Sequence, residues 1–252
     1  MPVYFFKLYK ITFYVALNCL ILFCNSYNLL AQAKLGITAG YSNNILISDN
    51  SLNERNRDGY IVGINYNYLF NNLFLETNFT FISKNFRFQK FYNSEIYQQY
   101  DNNYLQLPVS LGFYFLKAQK IKISISGGGF VSYWLQSHIK GVLPNVYNSI
   151  DSLNSNGNIT QYARLTEYKV KYIFSDADNR WGFGWNTGIG IHYLINRNIC
   201  LALKGQYFQS ITNNEKSKGN FQLYGYFKTF VIESGVLIEL KHAKHFLKNG
   251  KL

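Results

Sequence analysis

Residues 59–84 read GYIVGINYNYLFNNLFLETNFTFISK. Tyr60, Val62, Ile64, Tyr66, Tyr68 and Phe70 alternate with Ile61, Gly63, Asn65, Asn67 and Leu69. After Asn71-Asn72, Leu73, Leu75, Thr77, Phe79 and Phe81 alternate with Phe74, Glu76, Asn78, Thr80 and Lys84. Period-two alternation sustained this long predicts two strands, and Asn-Asn suits the tight turn between them because Asn tolerates positive φ. Each arm exceeds the ~5–6 residues of an ordinary strand and matches the ~9–11 tilted residues that cross a bilayer. One face is bulky and aromatic, the other small or polar, which is the pattern of a transmembrane barrel wall, apolar outside and polar inside.

The composition agrees. Of 252 residues, 48% are hydrophobic and 18% aromatic, with 22 Tyr and 21 Phe, yet mean hydropathy is only −0.12. A barrel hides its membrane character in alternation, so its average stays near neutral. Beyond the N-terminus no apolar run is long enough for a membrane helix.

The N-terminus reads as a signal peptide, residues 1–33. Lys7 and Lys10 precede a mostly apolar segment at 11–23, and Ala31-Gln32-Ala33 is an A-x-A cleavage site, which makes Lys34 the first mature residue. Cleavage removes Cys19 and Cys24 and leaves Cys200 alone, so no intramolecular disulfide is expected. The formal charge of +12 includes Lys7 and Lys10. In an exported chain that balance suits solvated loops and anionic lipid headgroups rather than nucleic acid.

Eight strands are predicted within a barrel domain at 34–240: residues 34–42, the two arms between 59 and about 88, then 104–115, 121–134, 180–193, 199–207 and a last strand within 221–240. Pro108 cannot donate to the ladder, so a break or bulge is expected there. Gly127-Gly128-Gly129 lacks the Lys-Ser/Thr pair and helix of a phosphate loop and reads as a crowded wall position. The connections alternate between long and short. An eight-stranded antiparallel up-and-down barrel with both termini in the periplasm has short periplasmic turns and long outer loops. The aromatic girdles then fall at Trp134, Trp181 and Trp185 on the outer side and at Tyr68 and Phe70 on the periplasmic side. A basic tail, 241–252, follows.

The segments 33–40 (AKLGITAG), 104–109 (YLQLPV), 127–135 (GGGFVSYWL) and 183–190 (FGWNTGIG) carry a resemblance to the PorT-like outer-membrane β-barrel family, across nearly the whole mature chain. The resemblance implies an outer-membrane barrel, and some relatives assist protein secretion. The sequence departs from the pattern at its end: such barrels usually close on an aromatic residue, whereas here Leu240 is followed by the basic tail with Phe246 inside it.

Catalytic chemistry is not expected. His192 lies between inner-face glycines, His138 has no identifiable Ser and acid partner, and His242 with His245 supply only two ligands. Asp176-Ala177-Asp178-Asn179 has calcium-like oxygens without the rest of an EF-hand loop. No cofactor or metal is therefore assigned. Alternation places Glu76, Lys122, Lys204 and Glu233 inside, where a charge must be paired. They are expected to form a polar network plugging the lumen, with Lys204 and Glu233 paired. The long loop at 136–179 is the candidate protein-contact surface through Tyr147, Tyr162, Tyr168 and Tyr172, and the weak alternation at 168–174 suggests that the flanking strands extend as a hairpin above the membrane.

The leading expectation is a bacterial outer-membrane barrel, bedded in lipid, with a structural or interaction role rather than an open pore. The alternatives are a secretion accessory, a barrel enzyme acting on lipid or peptide, and a soluble exported ligand-binding barrel with its apolar face inward.

Overall fold

In a computed structural model, which describes residues 32–48, 53–89, 95–153, 159–196, 198–216 and 225–240, the opening hairpin forms as the alternation requires. Its arms are β2 (Asn53–Phe70) and β3 (Leu73–Ser83). They pair antiparallel from Ile61↔Ile82 to Phe70↔Leu73, and Asn71 takes a positive φ of 55° in the turn. The other strands are β1 (Gln32–Ser48), β4 (Phe86–Gln89), β5 (Tyr97–Lys117), β6 (Ile121–Leu153), β7 (Ile159–Lys171), β8 (Trp181–Leu194), β9 (Ile199–Ser210) and β10 (Gly225–Leu240). The ladder β1-β2-β3-β5-β6-β8-β9-β10 closes on itself through β10 with β1, giving an antiparallel ring of eight. Closure leaves the ring without an open edge within the wall.

The two extra strands are outward continuations. β4 resumes the line of β3 after Lys84-Asn85 and pairs with both β2 and β5. β7 pairs with the outer part of β6, from His138↔Lys171 to Leu153↔Ile159, while β8 takes the inner part. Much of what the sequence presents as polar loops at 43–58, 89–103 and 136–179 is therefore strand. The predicted signal peptide lies outside the described residues except for Gln32 and Ala33, which already pair with Leu69 and Tyr68. The basic tail lies outside them entirely.

The wall has the expected polarity. Leu35, Ile37, Val62, Ile64, Leu111, Ile125, Ile189, Leu203 and Ile232 are exposed on the outer face, while Thr38, Asn65, Asn78, Thr80, Gln106, Ser124 and Thr229 are buried on the inner one. Pro108 introduces no register shift. It leaves a gap in the β3 ladder, which passes from Thr77↔Val109 to Thr80↔Gln106, while the β6 side continues as Pro108↔Phe130. The bulges of the β5–β6 ladder lie elsewhere, between Asn103 and Tyr104 and between Tyr114 and Leu116.

The first of these bulges matters most. Tyr104 pairs with Trp134 and Asn103 with Gln136, so Leu135 is the extra residue. Below it the even-numbered residues of β6 point inward. Above it the odd ones do, as Ile139 packs on the lumen core. A bulge inserts one residue and so exchanges the faces of everything that follows. Two inner glycines make room for rings: a Cβ on Gly112 would stand 2.0 Å from Phe74 Cζ, and one on Gly184 would stand 2.5 Å from Phe130.

Candidate functional site

At membrane depth the lumen is crossed by charge. Lys204 and Glu76 form an ion pair with both side chains 6% exposed. β9 and β3 lie diametrically opposite in the ring, so this pair spans the barrel. Asn65 Nδ2 also donates to Glu76 Oε1 at 2.7 Å. The expected Lys204–Glu233 pairing is corrected here. The two residues are register partners, but the Lys204 ammonium bonds across the lumen, and Glu233 accepts instead from Gln206 Nε2 at 3.2 Å. Asn186 Nδ2 donates to Ser110 Oγ at 2.8 Å. Glu76, Lys204 and Glu233 are buried. Lys122 is only half-buried and stands apart from them, its Nζ 5.7 Å from the Tyr114 ring centre. His192, 2% exposed, meets the rings of Tyr114 and Phe74 and lies 3.3 Å from Ser124 Oγ through Nε2.

Outward of this layer the lumen becomes aromatic. Phe86, Phe88, Tyr100, Tyr104, Phe130, Trp134, Phe208 and Phe227 form one buried cluster with Leu46, Ile61, Ile82 and Val231. Tyr104 of β5 and Phe227 of β10, on opposite walls, meet edge-on at 6.0 Å. Lys84, 1% exposed, projects its ammonium to 5.0 Å from the Tyr104 ring, 5.1 Å from Phe130 and 6.0 Å from Phe227. Ring faces supply the negative potential that a carboxylate would otherwise provide. Sequence reading placed Lys84 on the inner face but gave no signal of this cage, whose rings come from strands distant in the chain.

Trp134 is the main correction to the girdle. It is fully buried, stacked between Tyr104 and Tyr172 with both ring centres at 5.8 Å. The alternation that puts Tyr133 outside puts its neighbour inside. Trp181 and Trp185 do face outward, 55% and 41% exposed; Trp181 meets Tyr133, and Trp185 meets Tyr207, which in turn meets Phe230. Tyr68 and Phe70 also face outward, edge to face at 4.4 Å near the opposite end.

Of the predicted contact tyrosines, Tyr147 and Tyr162 fall on the backbones of β6 and β7, and their side chains lie outside what is described. Tyr168 lies beside Gly141. Tyr172 is not a surface contact but part of the lid: it covers Trp134 and donates to Asp178 Oδ1 at 2.8 Å. Burial, then that bond, raises its phenol above its ordinary value. Asp178 also accepts from Ser175 N at 2.6 Å and Ser175 Oγ at 3.1 Å, so this carboxylate closes its own turn. Arg180 pins the lid, donating to Trp134 O at 3.1 Å with its guanidinium over Phe174 and Tyr133. β7 stands at the end of the strand order, paired on one side only among the described residues.

A closed ring with an apolar exterior, aromatic belts and a polar interior defines a transmembrane outer-membrane barrel. Residues 26–215 match the outer membrane protein beta-barrel domain family, and the chain belongs to it. It is a bacterial outer-membrane protein associated with the lipid of that bilayer. Similar solved structures include OprG from Pseudomonas aeruginosa (11% identity, covering 83% of this chain and 95% of that one, TM-score 0.49) and the Neisserial surface protein A (12%, 82% and 97%, 0.43). The E. coli outer membrane protein W is another (16%, 82% and 98%, 0.36). No curated protein matches the sequence.

Proposed function

We propose that the protein is a closed, non-enzymatic barrel that acts by presenting its outer β6–β7 hairpin to a protein partner, with both chain termini on the periplasmic side. The observation that carries this reading is the lumen itself, bridged by Lys204–Glu76 and again by Tyr104–Phe227. An eight-stranded interior is just wide enough for side chains to fill, and side chains that meet across it leave no continuous path for solutes. The long ladder of β6 continues beyond the wall, and among the described residues β7 offers an unpaired strand edge of the kind that accepts an extended partner segment. The short connections at 71–72, 118–120 and 195–198 share one end, which supports the periplasmic placement of the termini. The resemblance to PorT-like barrels makes a secretion component the natural kind of partner.

Planar-bilayer recording of the folded chain tests the closed barrel: no steady porin-sized conductance is expected, and a stable open channel overturns it. Photo-crosslinkers at Arg164 and Val170 test the hairpin. Protein adducts in intact outer membranes are expected from both positions but not from lipid-facing Leu203, and their absence from the hairpin removes the interaction reading.

A further inference from the structure

Above the outer belt, one rung of the sheet carries a basic residue on four of its five strands, with the buried Gln99 on the fifth. Arg55 pairs with Arg87, Arg87 with Gln99, Gln99 with Lys140 and Lys140 with Lys169. The row therefore crosses β2, β4, β5, β6 and β7. It lies on the outer face, because the alternate residues Phe86, Phe88 and Tyr100 are buried in the lumen cluster. Arg55 and Lys169 are exposed, and Arg87 and Lys140 are partly exposed.

The charges converge instead of alternating. Arg57 Nη2 and Arg87 Nη2 both donate to Gln99 Oε1, at 2.7 Å and 3.2 Å. Arg87 Nε is buried without a partner. Burial first, and then the Arg57 charge, holds the Arg87 guanidinium below its ordinary value. Asp101 is already engaged by Lys140 at 2.8 Å and by Gln99 Nε2 at 2.6 Å. Glu167 is a further carboxylate on this face, two residues from Lys169 on β7, and Lys171 with His138 lies one step below. Asp58 is taken by Tyr41 and by Asn43 at 3.0 Å. Directly opposed like charges destabilise a strand pair, and here there are two such pairs, Arg55–Arg87 and Lys140–Lys169.

We propose that this row binds the phosphate groups of the outer-leaflet glycolipid. Guanidinium forks match phosphate oxygens in pairs, and a bound polyanion would relieve both like-charge contacts. The height fits. From Leu105, level with the belt position Tyr133, to Gln99 is six residues, or roughly 15 Å along a tilted strand. That lies outside the hydrocarbon, in reach of head groups for long basic side chains. Because the strands tilt, the row climbs obliquely and spreads its cations over several levels, which suits a head group phosphorylated at more than one position. The proposal does not depend on the hairpin's having a protein partner.

The test uses the full mature chain in phosphatidylcholine nanodiscs doped with diphosphoryl lipid A or its dephosphorylated form, with lipid retention read by native mass spectrometry. The diphosphoryl lipid should be retained selectively, and R55Q/R87Q/K169Q should weaken retention by roughly fivefold per cation removed, whereas R55K/R87K, which keeps the charges but loses the guanidinium forks, should lose less than R55Q/R87Q. Heat-modifiable migration verifies folding. If the triple variant fails to fold, K169Q alone should still lose roughly fivefold. Equal retention of the two lipids, or no loss on substitution, overturns the site. Complete displacement by equimolar inorganic phosphate assigns it to a free anion and overturns the lipid source.

Discussion

At membrane depth the lumen is spanned by Lys204–Glu76 with Asn65, Gln206, Glu233 and Asn186 around it. Further out, the same tube is filled by Phe86, Tyr104, Phe130, Trp134 and Phe227. The two regions cross the lumen by different physics. The inner layer ties opposite walls through directional bonds between charges that water cannot easily replace, so each member depends on its partner. The outer layer fills volume with rings seated above glycines such as Gly184, so its strength follows packed area. Lys84 stands among the rings and takes ring faces as its partners.

The largest expected effect lies in the charged layer. Glu76→Ala leaves the Lys204 ammonium buried without its carboxylate, and should cost about 3–5 kcal/mol in urea unfolding of the detergent-folded barrel. Glu76→Met with Lys204→Met should recover most of that loss, since removing both partners leaves no orphaned charge. A single-variant cost below about 1 kcal/mol would place the pair outside the load that holds the walls.

In the aromatic layer Trp134→Ala should cost about 3 kcal/mol through the cavity it leaves, against less than about 1 kcal/mol for the outward Trp181→Ala. Single-tryptophan variants sharpen the contrast: brominated lipid should quench Trp181 and Trp185 but not Trp134. Strong quenching of Trp134 would return it to the girdle.

A smaller effect is expected at the lid. Tyr172→Phe keeps the stack on Trp134 and loses the bond to Asp178, a cost of about 1 kcal/mol by the same unfolding measurement. Smallest of all is removal of the outer hairpin. Replacing residues 145–164 with a short Gly/Ser linker spares Val142, which belongs to the wall ladder through Tyr97, and should change barrel stability by less than about 0.5 kcal/mol. Failure to insert would show that the hairpin is part of the fold.

How much of this was legible depends on whether the signal is local. Strict alternation at 59–84 assigns Tyr60 and Val62 to the outside and Asn65 and Glu76 to the inside, because side-chain direction in a strand is set residue by residue. The same rule places Trp134 inside once Tyr133 is outside, although its size suggests a belt. The rule stops working at Leu135, where one inserted residue exchanges the faces, so the outer half of β6 looks like an irregular loop. Of the predicted surface tyrosines, Tyr172 lies past that point and is a lid over Trp134.

By itself, then, the sequence determined a ring of long amphipathic strands, the sign of each face and the set of charges that must share the lumen. Which of those charges pair was decided only by closure of the ring. Lys204 has Glu233 beside it in the ladder but meets Glu76, 128 residues away in the chain, because β3 and β9 end on opposite walls of a tube narrow enough for a lysine to cross. Ring closure likewise gathers Tyr104, Phe130 and Phe227 around Lys84. Those are contacts between strands far apart in sequence, and no local pattern encodes them.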